Sequence, residues 1–238
     1  MYCEKRIALL IPARNEVMAL PGFFKDVPWD VDRILVLDNG SKDSTADVAR
    51  KYGAEVVSEP IAGYGRACLA GLAALEADPP DIVAFADADG SDDISFLPVF
   101  FDFLVTQRAH MVLAKRVPVE RNALNRLQRF GNWLATRLIR VLWQHNYRDL
   151  GPMRAITWEA LKALQMIDKD YGWTVEMQIR ALKVGLRVIE YETPYRQRTA
   201  GESKISRSIT GGIKAGLKIL WVIMREALWN SKPVSAKR

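Results

Sequence analysis

The first 85 residues alternate short apolar runs with helical patterns, and that alternation constrains the fold more than any other feature of the chain. Ile7–Ile11, Ile34–Leu37, Glu55–Val57 and Ile82–Phe85 are short, rich in β-branched residues and ended by Pro, Asp or Gly, as buried parallel strands are. Glu16–Lys25, Ser44–Tyr52 and Arg66–Ala77 between them have helical spacing, with Asp43 or Ser44 as a plausible N-cap. This rhythm predicts a doubly wound, mostly parallel α/β sheet with helices on both faces. In such sheets ligands bind beyond the carboxyl ends of the strands. The polar clusters Pro12-Ala13-Arg14-Asn15-Glu16, Asp38-Asn39-Gly40-Ser41 and Asp87-Ala88-Asp89-Gly90 fall at those ends.

After residue 110 the pattern changes. Met111–Ala114 reads as a strand, Asn122–Trp143 as one long helix, Thr157–Leu164 and Thr174–Val184 as shorter helices, and Arg187–Glu192 as a strand running into Pro194. On a helical wheel Leu127, Phe130, Leu134, Leu138 and Val141 share one face of the long helix, beside a stripe of Arg126, Arg129, Arg137 and Arg140. A last helix, from about 205 to 228, repeats the design: Ile209, Ile213, Leu217, Leu220, Trp221, Met224 and Leu228 form a face flanked by Arg207, Lys214, Lys218 and Arg225.

The 238 residues, 49% hydrophobic, suit one large domain with a sizeable core and exclude disorder or a disulfide mini-scaffold. Cys3 and Cys68 have no companion His cluster, which points to a reducing compartment and away from zinc or thiol chemistry. The net charge of +6 divides unevenly, with −8 on residues 1–110 and +14 on residues 111–238. One half is suited to holding a cation and the other an anion or an anionic surface. A basic half alone is weak evidence for nucleic acid, which is not expected as a partner. Ile7–Pro12 is too short for a signal peptide, and Lys214, Gly216 and Lys218 interrupt the longest apolar stretch below the ~18 residues of a spanning helix.

Asp87-Ala88-Asp89 is the sharpest motif. Two carboxylates two residues apart at a strand end can reach one hard cation, and oxygen-only ligands favour Mg²⁺ or Mn²⁺ over zinc. An isolated Asp-x-Asp is commonly an Asx turn; its register with two other polar strand ends favours the metal. Where a bond to phosphate is cleaved, negative charge develops on the departing phosphate, which placed cations stabilise. Arg198, Ser203 and Lys204, in Arg-Thr-Ala-Gly-Glu-Ser-Lys, are candidates to supply such contacts. Lys115 and Arg116 after a strand, with Arg129 on the following helix, are candidates for an acceptor phosphate. His110 and His145 have no triad context and read as surface residues.

Five segments in order resemble the successive motifs of family 2 glycosyltransferases with the GT-A fold: Ile-Pro-Ala-Arg-Asn-Glu (11–16), Leu-Asp-Asn-Gly-Ser-Lys-Asp-Ser-Thr (37–45), Gly-Tyr-Gly-Arg-Ala (63–67), Asp-Ala-Asp-Gly (87–90) and Gly-Glu-Ser-Lys (201–204). Their order and ending are most similar to dolichyl-phosphate mannose or glucose synthases and bacterial polyprenyl-phosphate sugar transferases, over roughly residues 5–206. The resemblance implies that Pro12, Ala13, Glu16 and Asp38 line the base and ribose pocket, that Gly65 and Arg66 approach the nucleotide, and that Asp87, Ala88 and Asp89 hold the metal and diphosphate, with Arg198, Ser203 and Lys204 nearby. Asp38-Asn39 replaces the frequent acidic pair, and Ser91 stands where the mannose synthases often carry Gln.

A hydroxyl acceptor needs a general base, for which Asp149 and Glu176 are candidates, whereas a phosphate acceptor is already anionic. The resemblance implies instead that both orient arginines or sugar hydroxyls. The expected activity is metal-dependent, inverting transfer of a hexose from a UDP- or GDP-sugar to a polyprenyl phosphate; a soluble or polysaccharide hydroxyl is the alternative. Outside transferases, the rivals are a nucleic-acid or anionic-surface binding module and a nucleotidyltransferase, the latter without its Gly-rich basic loop after the first strand. The expected organisation is a catalytic domain over 1–205, divided into a nucleotide-sugar half (1–110) and an acceptor half (111–205), followed by an amphipathic helix and tail over 206–238. Cytoplasmic location at the inner membrane face is expected, with attachment peripheral or through homo-oligomerisation.

Overall fold

Residues 2–120, 123–198 and 209–229 are described by a computed structural model. Strand β1 (Ile7–Ala13) shows how the sequence makes two cores from one sheet: Ala8 and Leu10 face one cluster, while Ile7, Leu9, Ile11 and Ala13 face the other. β2 (Arg33–Asp38), β3 (Glu55–Ser58) and β4 (Ile82–Phe85) follow, all parallel to β1 or to its partner. β5 (Met111–Pro118), β6 (Arg154–Thr157) and β7 (Val188–Tyr195) complete a seven-stranded sheet of order β3-β2-β1-β4-β6-β5-β7. β6 runs antiparallel to β4 and β5; the other neighbouring pairs are parallel.

The helices cover both faces. α1 (Leu20–Asp26), α2 (Thr45–Lys51) and α4 (Leu97–Val105) pack on one side; α3 (Tyr64–Leu75), α5 (Arg126–Trp143), α6 (Trp158–Leu164), α7 (Trp173–Lys183) and α8 (Ile209–Leu228) pack on the other. The expected alternation is present, with four differences. α1 begins four residues late because Asn15 adopts a left-handed φ of 53° and the Glu16 amide bonds Thr45 Oγ1. α5 begins at Arg126 because Asn125 and Gln128 form a reciprocal capping box; Asn122 lies outside the described residues. β6 and α4 had no assignment from sequence. β7 continues through Pro194 because it is the sheet's edge, where a missing N–H costs no ladder bond.

The two amphipathic helices differ most from expectation. α5 buries Ala135 and Ile139 and packs Leu138 against the core, while Phe130, Trp133 and Val141 remain exposed. α8 buries Ala215, Val222, Ile223 and Glu226, and exposes Ile213, Leu217, Trp221, Met224 and Leu228. Among the described residues no helix is long and apolar enough to cross a membrane.

Candidate active site

Parallel pairing brings three polar strand ends together. Pro12 and Ala13 close β1 beside Leu37 and Asp38 of β2, and β4 delivers Asp87-Ala88-Asp89 from the other side of β1. Asp38 accepts from the Ser41 amide at 3.1 Å, which fixes its carboxylate at the mouth of β2. The buried Asn39 has another task. Its amide donates to the Glu59 and Ile61 carbonyls and its oxygen accepts from Gly63 N–H, tying the β2 end to the entry of α3. A carboxylate could not make the two donations.

Asp87 accepts from Tyr64 Oη at 3.1 Å. Burial, then the neighbouring Asp89, push its carboxyl up to about 7. Asp89 accepts from the Ser91 amide at 2.9 Å. Asp92 adds a third carboxyl that is buried; among the described residues neither of its oxygens finds a hydrogen-bond partner. Its pKa is raised well above the usual range, first by burial and then by Asp87. Arg198 lies against this group: its Nη2 donates to Glu16 Oε1 at 2.7 Å and its Nε is 3.5 Å from Asp89 Oδ2. Ser203 and Lys204 lie outside the described residues.

Among the described residues no three His, Cys, Asp or Glu side chains form a metal cage. The donor chemistry nevertheless fits a hard divalent cation. Asp87 and Asp89 offer oxygen ligands only, and an Mg²⁺ held by one or two carboxylates keeps coordination positions for water and phosphate.

Several expected site residues have partners within the protein. A Cβ on Gly65 would lie 2.1 Å from the Asp168 carbonyl, and one on Gly63 2.3 Å from the Lys169 carbonyl. These glycines seat α3 on the 168–170 turn, and the Arg66 amide donates to Lys169 O, so the Cβ side of Gly65 faces protein backbone. Glu176 is fully buried in α7, where it accepts from the Ile167 and Asp168 amides and pairs with Arg180 and Arg225. It has no surface with which to act as a base. Asp149 is likewise committed, receiving Nε and Nη2 of Arg116 at 2.8 and 2.7 Å and the Arg116 amide at 2.9 Å. Both carboxylates orient arginines.

Arg116 therefore stands rigidly on β5, its guanidinium 5.1 Å from the Tyr195 ring centre, while Lys115 pairs with Glu192. Arg129 is on the first turn of α5, bonding the Leu124 carbonyl, outside the strand-end cluster. His110 accepts from the Arg187 amide and His145 packs on Tyr147, away from the motifs. Tyr64 was not singled out from the sequence. Its partner is 23 residues away, and only its place between Gly63 and Gly65 hinted at a fixed position.

The sequence model for glycosyl transferase family 2 matches residues 8–164. An uncharacterised glycosyltransferase of Mycobacterium tuberculosis is 38% identical over 217 residues, 91% of this chain and 97% of that protein. A dolichyl-phosphate hexose transferase of Haloferax volcanii is 32% identical over 234 residues, 95% of this chain and 98% of the relative. Among solved structures, glucosyl-3-phosphoglycerate synthase from M. tuberculosis, in complex with Mn²⁺, UDP and glucosyl-3-phosphoglycerate, superposes with a TM-score of 0.77 at 21% identity, covering 97% of this chain and 82% of that one.

Proposed function

The chain belongs to glycosyl transferase family 2 and carries the GT-A fold, and from that premise we propose that it moves a hexose from a UDP- or GDP-sugar to a polyprenyl phosphate, with inversion and with a divalent cation. Residues 1–110 serve the donor and residues 111–205 the acceptor. Asp38 accepts an N–H of the base, beside Pro12 and Ala13. Asp87 and Asp89 hold Mg²⁺ or Mn²⁺, with Tyr64 fixing the Asp87 carboxylate. When bound, the cation supplies Lewis-acid charge to the departing nucleoside diphosphate. Arg198 and Lys204 neutralise the same phosphates from the protein side, and the Ser203 hydroxyl donates a hydrogen bond to them.

The acceptor oxygen bonds the anomeric carbon as the bond to the diphosphate breaks on the opposite side, which inverts that carbon. A phosphate monoester is anionic near neutral pH and needs no proton removed. Arg116, set by Asp149, would orient it, with Lys115 and Arg129 adding positive charge. Asp149 and Glu176 therefore enter as positioning groups.

The observation that carries the lipid acceptor is the outward apolar face of α5 and α8. Phe130 and Trp133 contact each other at 5.9 Å between ring centres and are each 57% exposed, with Arg126, Arg137 and Arg140 around them. Apolar side chains ringed by cations suit peripheral contact with an anionic bilayer. The name of the Haloferax volcanii relative supports a lipid phosphate; that of the M. tuberculosis synthase favours a small soluble acceptor as the second reading. Incubating the protein and Mn²⁺ with radiolabelled UDP- and GDP-hexoses, and either undecaprenyl phosphate or 3-phosphoglycerate, separates the two. Label entering the organic phase supports the proposal. Transfer to the soluble acceptor alone overturns it.

A further inference from the structure

The carboxylates at the strand ends share one described guanidinium. Glu16 from the β1 end and Asp89 from the β4 end both face Arg198, at 2.7 Å and 3.5 Å, and the charge of Arg198 also bears on Asp87. Glu16 is 6% exposed, so the stronger of the two contacts is sheltered from solvent screening. Arg198 thus occupies the electrostatic place of a cation at Asp89 while anchored on a residue that belongs to a different strand end.

A guanidinium and a divalent cation cannot share one carboxylate without repelling each other. We propose that Arg198 is the resting counter-ion of the cation site: anchored on Glu16, it shields Asp89 in the ligand-free protein, opposes a divalent cation that arrives alone, and transfers to the diphosphate when cation and nucleotide arrive together. The inference rests on the reading of Asp87 and Asp89 as that cation's ligands. It gives Glu16 the role of anchor for the guanidinium rather than ribose contact, and it predicts positive coupling between cation and nucleotide. By linkage that coupling is reciprocal.

The distinguishing feature of a counter-ion is the sign of its removal. A residue that merely supports the site weakens every ligand when lost. Removing Arg198 should tighten Mn²⁺ alone and loosen UDP or GDP in saturating Mn²⁺. The test measures free Mn²⁺ by its electron paramagnetic resonance signal with wild type, Arg198→Met and Arg198→Gln, and then titrates UDP and GDP into the Mn²⁺-saturated proteins calorimetrically. The expected result is Mn²⁺ affinity about tenfold higher in both variants, equivalent to about 1.4 kcal/mol, with nucleotide affinity lower by a similar factor. Two variants of different polarity guard against a folding defect in one. Mn²⁺ bound by wild type but held equally or less tightly by both variants overturns the counter-ion while leaving the cation site intact. No Mn²⁺ binding by any of the three proteins overturns both.

Discussion

Helices α3 and α8 lie on the same side of the sheet and are built on opposite plans. α3 turns small and apolar residues inward, with Gly65, Ala67, Cys68, Gly71 and Leu75 buried. α8 is held by charge: Lys218 lies 2.9 Å from Asp168 Oδ2, Arg225 pairs with Glu176, and Glu226 meets Arg180 at 3.0 Å and Lys183 at 3.0 Å. Val222 and Ile223 are buried in the core, while other large apolar side chains point away, Leu217 being 61% and Leu228 81% exposed. Buried ion pairs are poor sources of net stability because desolvation offsets their attraction. They do fix orientation, here the roll of α8 that leaves Leu217, Trp221 and Leu228 outward. α3 is thus placed by its fit to the sheet, α8 by a narrow apolar seam at Val222 and Ile223 together with the points where its charges can be neutralised.

Breaking the seat of α8 should have the largest effect on stability. Asp168→Ala removes the buried carboxylate that Lys218 meets and that lies 3.6 Å from Arg225, which keeps Glu176 and Glu226, and should lower unfolding free energy in urea by about 3–5 kcal/mol. An unchanged midpoint would mean that the ionic contacts do not hold the helix. The outward face should behave in the reverse manner. Leu217→Gln combined with Trp221→Gln should change stability by less than about 0.5 kcal/mol, yet strongly reduce sedimentation with vesicles containing anionic lipid. Marked destabilisation would show that the protein itself needs this face. A smaller effect is expected from the basic stripe of α5: Arg137→Gln and Arg140→Gln should each weaken vesicle binding by about 1 kcal/mol, a difference that vanishes at high salt.

At the other helix, Tyr64→Phe removes a single hydrogen bond to Asp87 and should weaken Mn²⁺ binding by about 0.5–1.5 kcal/mol, leaving the fold intact. The pH dependence has a definite sign. Burial and Asp89 hold Asp87 up to about 7, so the proton opposes the cation below that pH. Mn²⁺ affinity should rise about tenfold per unit as pH approaches 7 from below, and flatten above it.

The strand ends were legible in the sequence because each is local: an apolar run followed at once by its polar cluster. Asp87 and Asp89, after β4, and Asp38, after β2, needed no long-range information to be placed. Partners were less legible. That Arg116 belongs to Asp149, 33 residues away, and Glu176 to Arg225, 49 away, depends on packing that no local pattern encodes. That Gly65 accommodates the 168–170 turn was not legible because that turn lies a hundred residues downstream. The wheel for α5 grouped its large apolar residues correctly. It could not show that Ala135 and Ile139 form the buried seam, since burial follows from the neighbouring helix and sheet rather than from side-chain size.

The central claim, that the β4 carboxylates make this protein a cation-dependent user of nucleotide sugars, is tested most directly by thermal unfolding with UDP- and GDP-hexoses, with and without Mn²⁺, in wild type and Asp89→Ala. A ligand at 100 times its dissociation constant stabilises by about 2.7 kcal/mol, a readable rise in melting temperature. The account predicts that rise for wild type with at least one nucleotide sugar in Mn²⁺, and its loss in Asp89→Ala or on chelation. Equal stabilisation of wild type and variant, whether or not Mn²⁺ is present, would contradict it.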